Sequence, residues 1–203
     1  MQQREWLAAA IALVIGSPLV FFFATAMADG AQRAAQTPYR ALLGDEAYEA
    51  LRAGRETNLH YAGNDRLAPD FDLRDRSGRS FKLSDHRGKV VVMNFWTITC
   101  APCVEEMPSL DLLAELVADR DDVEVIAVST DAGWDEVATV FPDDPTIRVL
   151  FDPEESVVEG RYGTKLYPET WFIDPDGVIR LRIDGPRDWT SPIVLDLIDQ
   201  LAG

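Results

Sequence analysis

Cysteine and histidine are scarce in this 203-residue chain, two of each, and their scarcity removes most metal chemistry. A tetrahedral zinc site built on Cys100 and Cys103 would need two further ligands. The only histidines, His60 and His86, form no His-x3-5-His pattern. Two-coordinate Cu(I) held by the two sulfurs stays open. Basic residues are also few: 19 Lys and Arg stand against 35 Asp and Glu, for a net charge of -16. A surface of that sign repels phosphates, which excludes nucleic acid as a partner. The acidic residues are spread along the chain and not gathered into a tail, so they read as a solvated surface. Internal repeats and low-complexity blocks are absent.

Long apolar runs are absent too, except one. Trp6 to Ala28 passes 23 residues without a charge, enough for a bilayer core that needs about 20. Ala26, Met27 and Ala28 also read as a small-x-small cleavage site before Asp29. The apolar core exceeds the roughly 7 to 15 residues of a secretory signal, which favours a retained anchor over a cleaved leader. Either outcome exports the rest of the chain, with Arg4 as a weak cytoplasmic flank. The expected location is the cell envelope: the N-terminus anchored in the inner membrane with the catalytic domain outside the cytoplasm, or release into the periplasm if cleaved after Ala28.

With so few cysteines, their placement carries the argument. Cys100 and Cys103 follow Val90 to Met93 and then Asn94, Phe95 and Trp96, where a strand hands over to a helix. At i,i+3 spacing both sulfurs lie on one helix face, within reach of a disulfide. The first-turn N–H groups and the helix dipole lower a thiol pKa there. A purely structural disulfide closing so short a loop would remove little unfolded-state entropy. The pair therefore reads as a redox couple.

The pattern divides the chain into a membrane segment at 1–28, a spacer at 29–66 with a short amphipathic helix near Tyr39 to Arg55, and a compact domain at 67–203. Within the domain, Phe71, Leu73, Phe81 and Leu83 alternate around Asp75 to Gly78, a hairpin signal. Buried strands are expected at Lys89 to Trp96 and Val123 to Val128. An amphipathic helix is expected from Cys103 to Ala118, kinked or restarted at Pro108. A short helix at Trp134 to Phe141 ending at Pro142, a strand at Ile147 to Phe151 and a helix at Glu154 to Arg161 follow. A hairpin of Thr170 to Ile173 with Val178 to Ile183, and a closing helix from Trp189 to Leu201, complete the pattern. These elements imply an α/β fold, a central mixed sheet with helices on both faces. The cysteines sit at the carboxyl end of its first central strand, where open α/β sheets place their chemistry.

Beyond the cysteines, Ala68-Pro69-Asp70-Phe71, Gly88-Lys89, Asn94-Phe95-Trp96, Pro108 and Tyr167-Pro168-Glu169-Thr170 before Trp171-Phe172-Ile173-Asp174 complete a pattern. Over about Ala68 to Ala202 the chain resembles the membrane-tethered TlpA/ResA/CcmG group of thiol-disulfide oxidoreductases. The resemblance implies a thioredoxin-like fold with an N-terminal hairpin extension and an N-terminal transmembrane segment. It implies Cys100 as the attacking thiol and Cys103 as the resolving thiol, exchanging through a mixed disulfide. Pro168 matches the family's cis-proline, beside which an extended partner chain pairs. Asn94 stands where ordinary thioredoxins carry a buried Asp, and Glu106 matches the acid of ResA-type members. Burial would raise the pKa of Glu106 towards the working range. Glu105, about 100 degrees round the helix, is expected in solvent. Trp96, Tyr167 and Glu169 fall at substrate-binding positions, Glu169 also being a weaker acid candidate. Thr99 replaces the Trp common before the first Cys.

No cofactor or resident metal is expected. The expected partners are thiols or disulfides of exported proteins, a membrane or exported electron donor, and the membrane itself. The leading reading is a disulfide reductase, with apocytochrome c cysteines as a candidate substrate. An oxidase that donates disulfides, a Cu(I) chaperone and a thiol peroxidase are the alternatives. For the last, Thr97 fits part of a Pro-x3-Thr-x2-Cys motif, but Met93 occupies the proline position.

Overall fold

The computed structural model describes residues 67–203 except Pro142. The expected membrane run at Trp6 to Ala28, the spacer and its helix lie outside the described residues. Among the described residues no helix is long and apolar enough to cross a membrane.

Strands β1 (Asp72–Asp75) and β2 (Ser80–Lys82) form the expected hairpin, followed by a 3-10 turn at Leu83–His86. Then come β3 (Val90–Trp96), α1 (Ala101–Leu116), β4 (Val123–Ser129), α2 (Trp134–Val137) and β5 (Arg148–Phe151). Strands β6 (Glu169–Ile173) and β7 (Ile179–Asp184) precede α3 (Pro192–Ala202). One seven-stranded sheet results, in the order β2-β1-β5-β4-β3-β6-β7. Its centre, β5-β4-β3, is parallel; β6 and β7 are antiparallel on one side, and the hairpin extends the other. Every residue of β3 is buried, as a central strand covered on both faces requires.

Neighbouring residues of β3 point to opposite faces. Val92, Asn94 and Trp96 share the face covered by α1 and α3, where Met107, Leu110, Leu113, Val194 and Ile198 are buried. In α1 the buried positions 103, 106, 107, 110, 113 and 114 follow helical periodicity, so the helix lays one stripe on the sheet. A Leu110→Ala change, emptying a fully buried site, would cost about 2–5 kcal/mol. The helix begins at Ala101, two residues before the expected start, and runs unbroken through Pro108. The proline removes the bond to the carbonyl one turn back and crowds that carbonyl with its ring, and packing against the sheet holds the helix across that gap.

The opposite face is closed differently from expectation. Glu154 to Arg161 forms a series of turns and no regular helix. Asp152 draws the N–H groups of Ser156, Val157 and Val158 onto its carboxylate at 2.8–3.1 Å. Glu155 takes a left-handed φ of 52°, which interrupts helical geometry. At Gly160 a Cβ would lie 2.4 Å from the Ser156 carbonyl oxygen, so the tight winding demands glycine. Val157, Val158 and Tyr162 from these turns join Phe71, Phe81, Met93, Phe95 and Trp171 in one apolar core. Tyr162 sits edge-on to both Phe95 and Trp171, an arrangement that aromatic quadrupoles favour. Helix α2 is also shorter than expected, ending at Val137.

Candidate active site

The sheet places both cysteines at the carboxyl end of β3. Cys100 caps α1: its Sγ accepts from the N–H of Cys103 at 3.3 Å, and Ala101-Pro102 opens the helix, where a missing proline N–H costs little. The two are joined as a disulfide with Cα atoms 5.3 Å apart. Their environments differ. Cys103 is wholly buried, whereas Cys100 is partly exposed. Only Cys100 can be reached from outside. In the reduced state its sulfur would lie at the helix N-terminus, where unpaired N–H groups stabilise a thiolate.

One helical turn beyond Cys103, Glu106 is buried at 3% exposure, while Glu105 faces solvent as expected. Three donors converge on the Glu106 carboxylate at 2.9 Å: Asn94 Nδ2 on one oxygen, and the Arg187 backbone N–H and Trp189 Nε1 on the other. They come from β3 and from the connection between β7 and α3. Burial pushes the Glu106 pKa above the usual carboxylate value, while Trp189, Arg187 and Asn94 pull it partly back. Asn94 also donates to Thr170 Oγ1 at 2.9 Å, and its own Oδ1 is buried without a partner. Ser109 ties the same connection to α1, accepting from the Trp189 N–H and donating to the Glu106 carbonyl.

The peptide bond between Tyr167 and Pro168 is cis. Because β6 runs antiparallel to β3 with Phe95 opposite Glu169, Pro168 lies at the same sheet end as the cysteines. Tyr167 is partly exposed, and its hydroxyl reaches Glu155 at 3.4 Å. Burial and the carboxylates of Glu155 and Asp152 push this phenol up to about 12. Leu166, just before it, is 82% exposed.

Two expected site residues are placed differently. Trp96 is fully buried and edge-on to Phe141; it supports the site from beneath and offers a partner no surface. Glu169 is also buried, and Thr164 donates to it at 2.6 Å. Its register opposite Phe95 puts it on the sheet face away from Asn94 and Thr170. Glu106 and Glu169 therefore do not form a pair, although burial raises both pKa values. Trp189 was not among the expected site residues. A Trp ahead of a helix gives no sign that its N–H will meet an acid 83 positions earlier.

Comparison with known proteins agrees with this geometry. The model of the AhpC/TSA family matches residues 65–182. The chain is similar to the thiol-disulfide oxidoreductase ResA of Oceanobacillus iheyensis, 39% identical over 138 residues, covering 64% of this chain and 69% of that protein. It is similar to the thioredoxin-like protein YneN of Bacillus subtilis, 34% identical over 115 residues, covering 56% of this chain and 66% of that one. The chain thus spans about two thirds of the length of these relatives. Among solved structures, a Chlorobium tepidum protein assigned as the thiol:disulfide interchange protein DsbE aligns with a TM-score of 0.60 and 28% identity, over 70% of this chain and 99% of that one. The exposed lipoprotein thioredoxin of Streptococcus pneumoniae aligns at 0.55 and 28%, over 66% and 100%.

Proposed function

Since the chain belongs to the AhpC/TSA family and is a thioredoxin-fold thiol-disulfide oxidoreductase, we propose that it reduces disulfides of exported proteins from a membrane anchor at Trp6 to Ala28. The observation that carries the exchange chemistry is the asymmetry of the pair, a reachable Cys100 capping α1 and a wholly buried Cys103. In the reduced enzyme the Cys100 thiolate attacks one sulfur of a partner disulfide. A mixed disulfide forms and one partner thiolate leaves. Cys103, giving its proton to the Glu106 carboxylate, then attacks Cys100 Sγ and expels the second partner thiolate. The partner gains two electrons, and the enzyme is left with the Cys100–Cys103 disulfide. The two thiol protons end on the partner's sulfurs, the second by way of Glu106. Leu166, exposed, and Tyr167, partly exposed, lie ahead of the cis Pro168 at the sheet end that carries the cysteines and are the proposed partner-binding edge.

The reductive direction, and apocytochrome c cysteines as a substrate, rest on the resemblance to ResA and to DsbE-type proteins. The anchor rests on the charge-free N-terminal run. A reduction potential below about -250 mV is expected of a reductant, and one near -120 mV would reverse the direction. A peroxidase reading, which the family name brings forward, is disfavoured by geometry. The Thr97 hydroxyl that such a site would turn towards its cysteine donates to Asp131 at 2.8 Å.

A further inference from the structure

The turn that delivers Cys100 is built from Thr97, Ile98, Thr99 and Cys100, closed by the Cys100 N–H donating to the Thr97 carbonyl at 3.1 Å. Thr99 in this turn is exposed, and its N–H and hydroxyl meet the Thr97 hydroxyl at 3.5 and 3.3 Å. What fixes the turn is a carboxylate from another strand. Asp131, two residues past the end of β4, accepts the Thr97 hydroxyl on Oδ1 at 2.8 Å and the Ile98 N–H on Oδ2 at 3.0 Å. Ser129 Oγ donates to the same Oδ2 at 2.7 Å and accepts the Asp131 N–H at 3.0 Å, which fixes the carboxylate in turn. The Thr130 N–H meets the Trp96 carbonyl at 3.2 Å, bringing the two strand ends together. Asp131 is 7% exposed. A buried carboxylate must have its acceptor positions filled, and here two of the three donors belong to the turn that carries Cys100.

We infer that Asp131 is a positioning residue for the attacking thiol: through Thr97 and the Ile98 N–H it holds the turn so that Cys100 Sγ stays at the N-terminus of α1. The inference rests on the reading of Cys100 as the attacker. Its chemical content is specific. The thiolate is stabilised by N–H groups within the first turn only, so a turn free to shift by a fraction of an ångström loses that stabilisation while the fold persists. Asp131 touches neither sulfur and takes no part in proton transfer. One of its two links to the turn is the Thr97 hydroxyl, which a side chain of the same shape without the oxygen would break.

The test follows the pH dependence of Cys100 alkylation by iodoacetamide in the reduced full-length protein, with the modified residue identified by mass spectrometry. T97V, nearly isosteric, removes one donor and leaves the Asp131 charge in place. Its alkylation profile should move to higher pH, with a rate at neutral pH lower by about two- to ten-fold, the range expected for one hydrogen bond. T97S, which restores the hydroxyl, should return the profile towards that of the parent. In a D131A background the T97V effect should be much smaller, because the hydroxyl's acceptor is already gone. A T97V profile that superimposes on the parent, an equal displacement in T97S, or an undiminished T97V effect in D131A would each overturn the assignment. Failure of the parent protein to alkylate selectively at Cys100 would instead overturn the reading of Cys100 as the attacker, and this inference with it.

Discussion

The indole N–H of Trp189 donates to Glu106 at 2.9 Å, joining the segment before α3 to the acid one turn beyond Cys103. On the same oxygen lies the Arg187 backbone N–H, so two donors favour the charged form of a side chain whose burial favours the neutral one. Burial raises the Glu106 pKa, and these donors offset part of that rise.

Removing one donor shifts that balance. Trp189→Phe keeps a ring against Phe172, whose centroid lies 6.2 Å from that of the indole, and deletes the N–H. The Glu106 pKa should rise further. The step that Glu106 contributes to the pH profile of exchange should move to higher pH, with a stability cost of about 1.5–3 kcal/mol for a hydrogen bond to a charged group. Glu106→Gln should abolish the step and leave the fold intact. Its carboxamide oxygen can keep the Trp189 and Arg187 donors, and its NH2 can face the unpartnered Asn94 Oδ1 once that amide turns over. Exchange rates across pH, with circular dichroism as the control, check both. An unmoved profile in either variant counts against a proton-transfer role.

Stability should depend on pH with opposite signs at two acids. Glu106, raised from 4.5, holds its proton more tightly folded than unfolded. Its favourable contribution is complete below the unfolded value and is lost as pH rises through the raised one. Asp75 behaves in the reverse way. Burial opposes its ionisation, but donors from Ser77 and Arg79 and the charge of Arg148 outweigh burial and lower it from 3.8 to about 2. Its contribution, on the order of 1–2 kcal/mol, is present above the unfolded value and lost as pH falls from about 4 to about 2. Denaturant unfolding of Asp75→Asn and Glu106→Gln against the parent should show the first difference shrinking towards acid and the second developing towards neutral pH.

Leu166, at 82% exposure, contributes little to folding. Leu166→Asp should change stability by less than about 0.5 kcal/mol. If the segment before Pro168 receives the partner chain, the same change should slow reduction of a protein disulfide several-fold and leave reduction of a small aromatic disulfide unaltered. Equal rates with both substrates would remove Leu166 from the binding edge.

The strands and the site differed in how far the sequence disclosed them. Strands β3 and β4 were legible because continuous apolar runs leave few alternatives, and the hairpin was legible from alternation around Asp75 to Gly78. The Glu154 to Arg161 segment misled because its composition suits a helix. Its conformation follows Asp152, which takes three backbone N–H groups, together with the left-handed Glu155 and the tight winding at Gly160, none of which periodicity encodes. The cysteine pair and Glu106 could be found from spacing and family pattern, since both lie on one helix. Trp189 and Asp131 could not, because each meets the site only through the sheet topology. Trp96 and Glu169 were near the cysteines along the chain or across the sheet, but Trp96 is wholly buried on the face that α1 covers, and alternation along β6 turns Glu169 to the opposite face.

The assignment of Cys100 as attacker and Cys103 as resolver is the central claim, and trapping tests it most directly. Cells producing the full-length Cys103→Ser and Cys100→Ser variants would be quenched with acid and alkylated, and disulfide-linked adducts compared on non-reducing gels. Cys103→Ser should accumulate partner proteins linked through Cys100, because the buried resolving sulfur is gone, and Cys100→Ser should accumulate none. Equal trapping by both variants, or trapping by Cys100→Ser alone, would contradict the account.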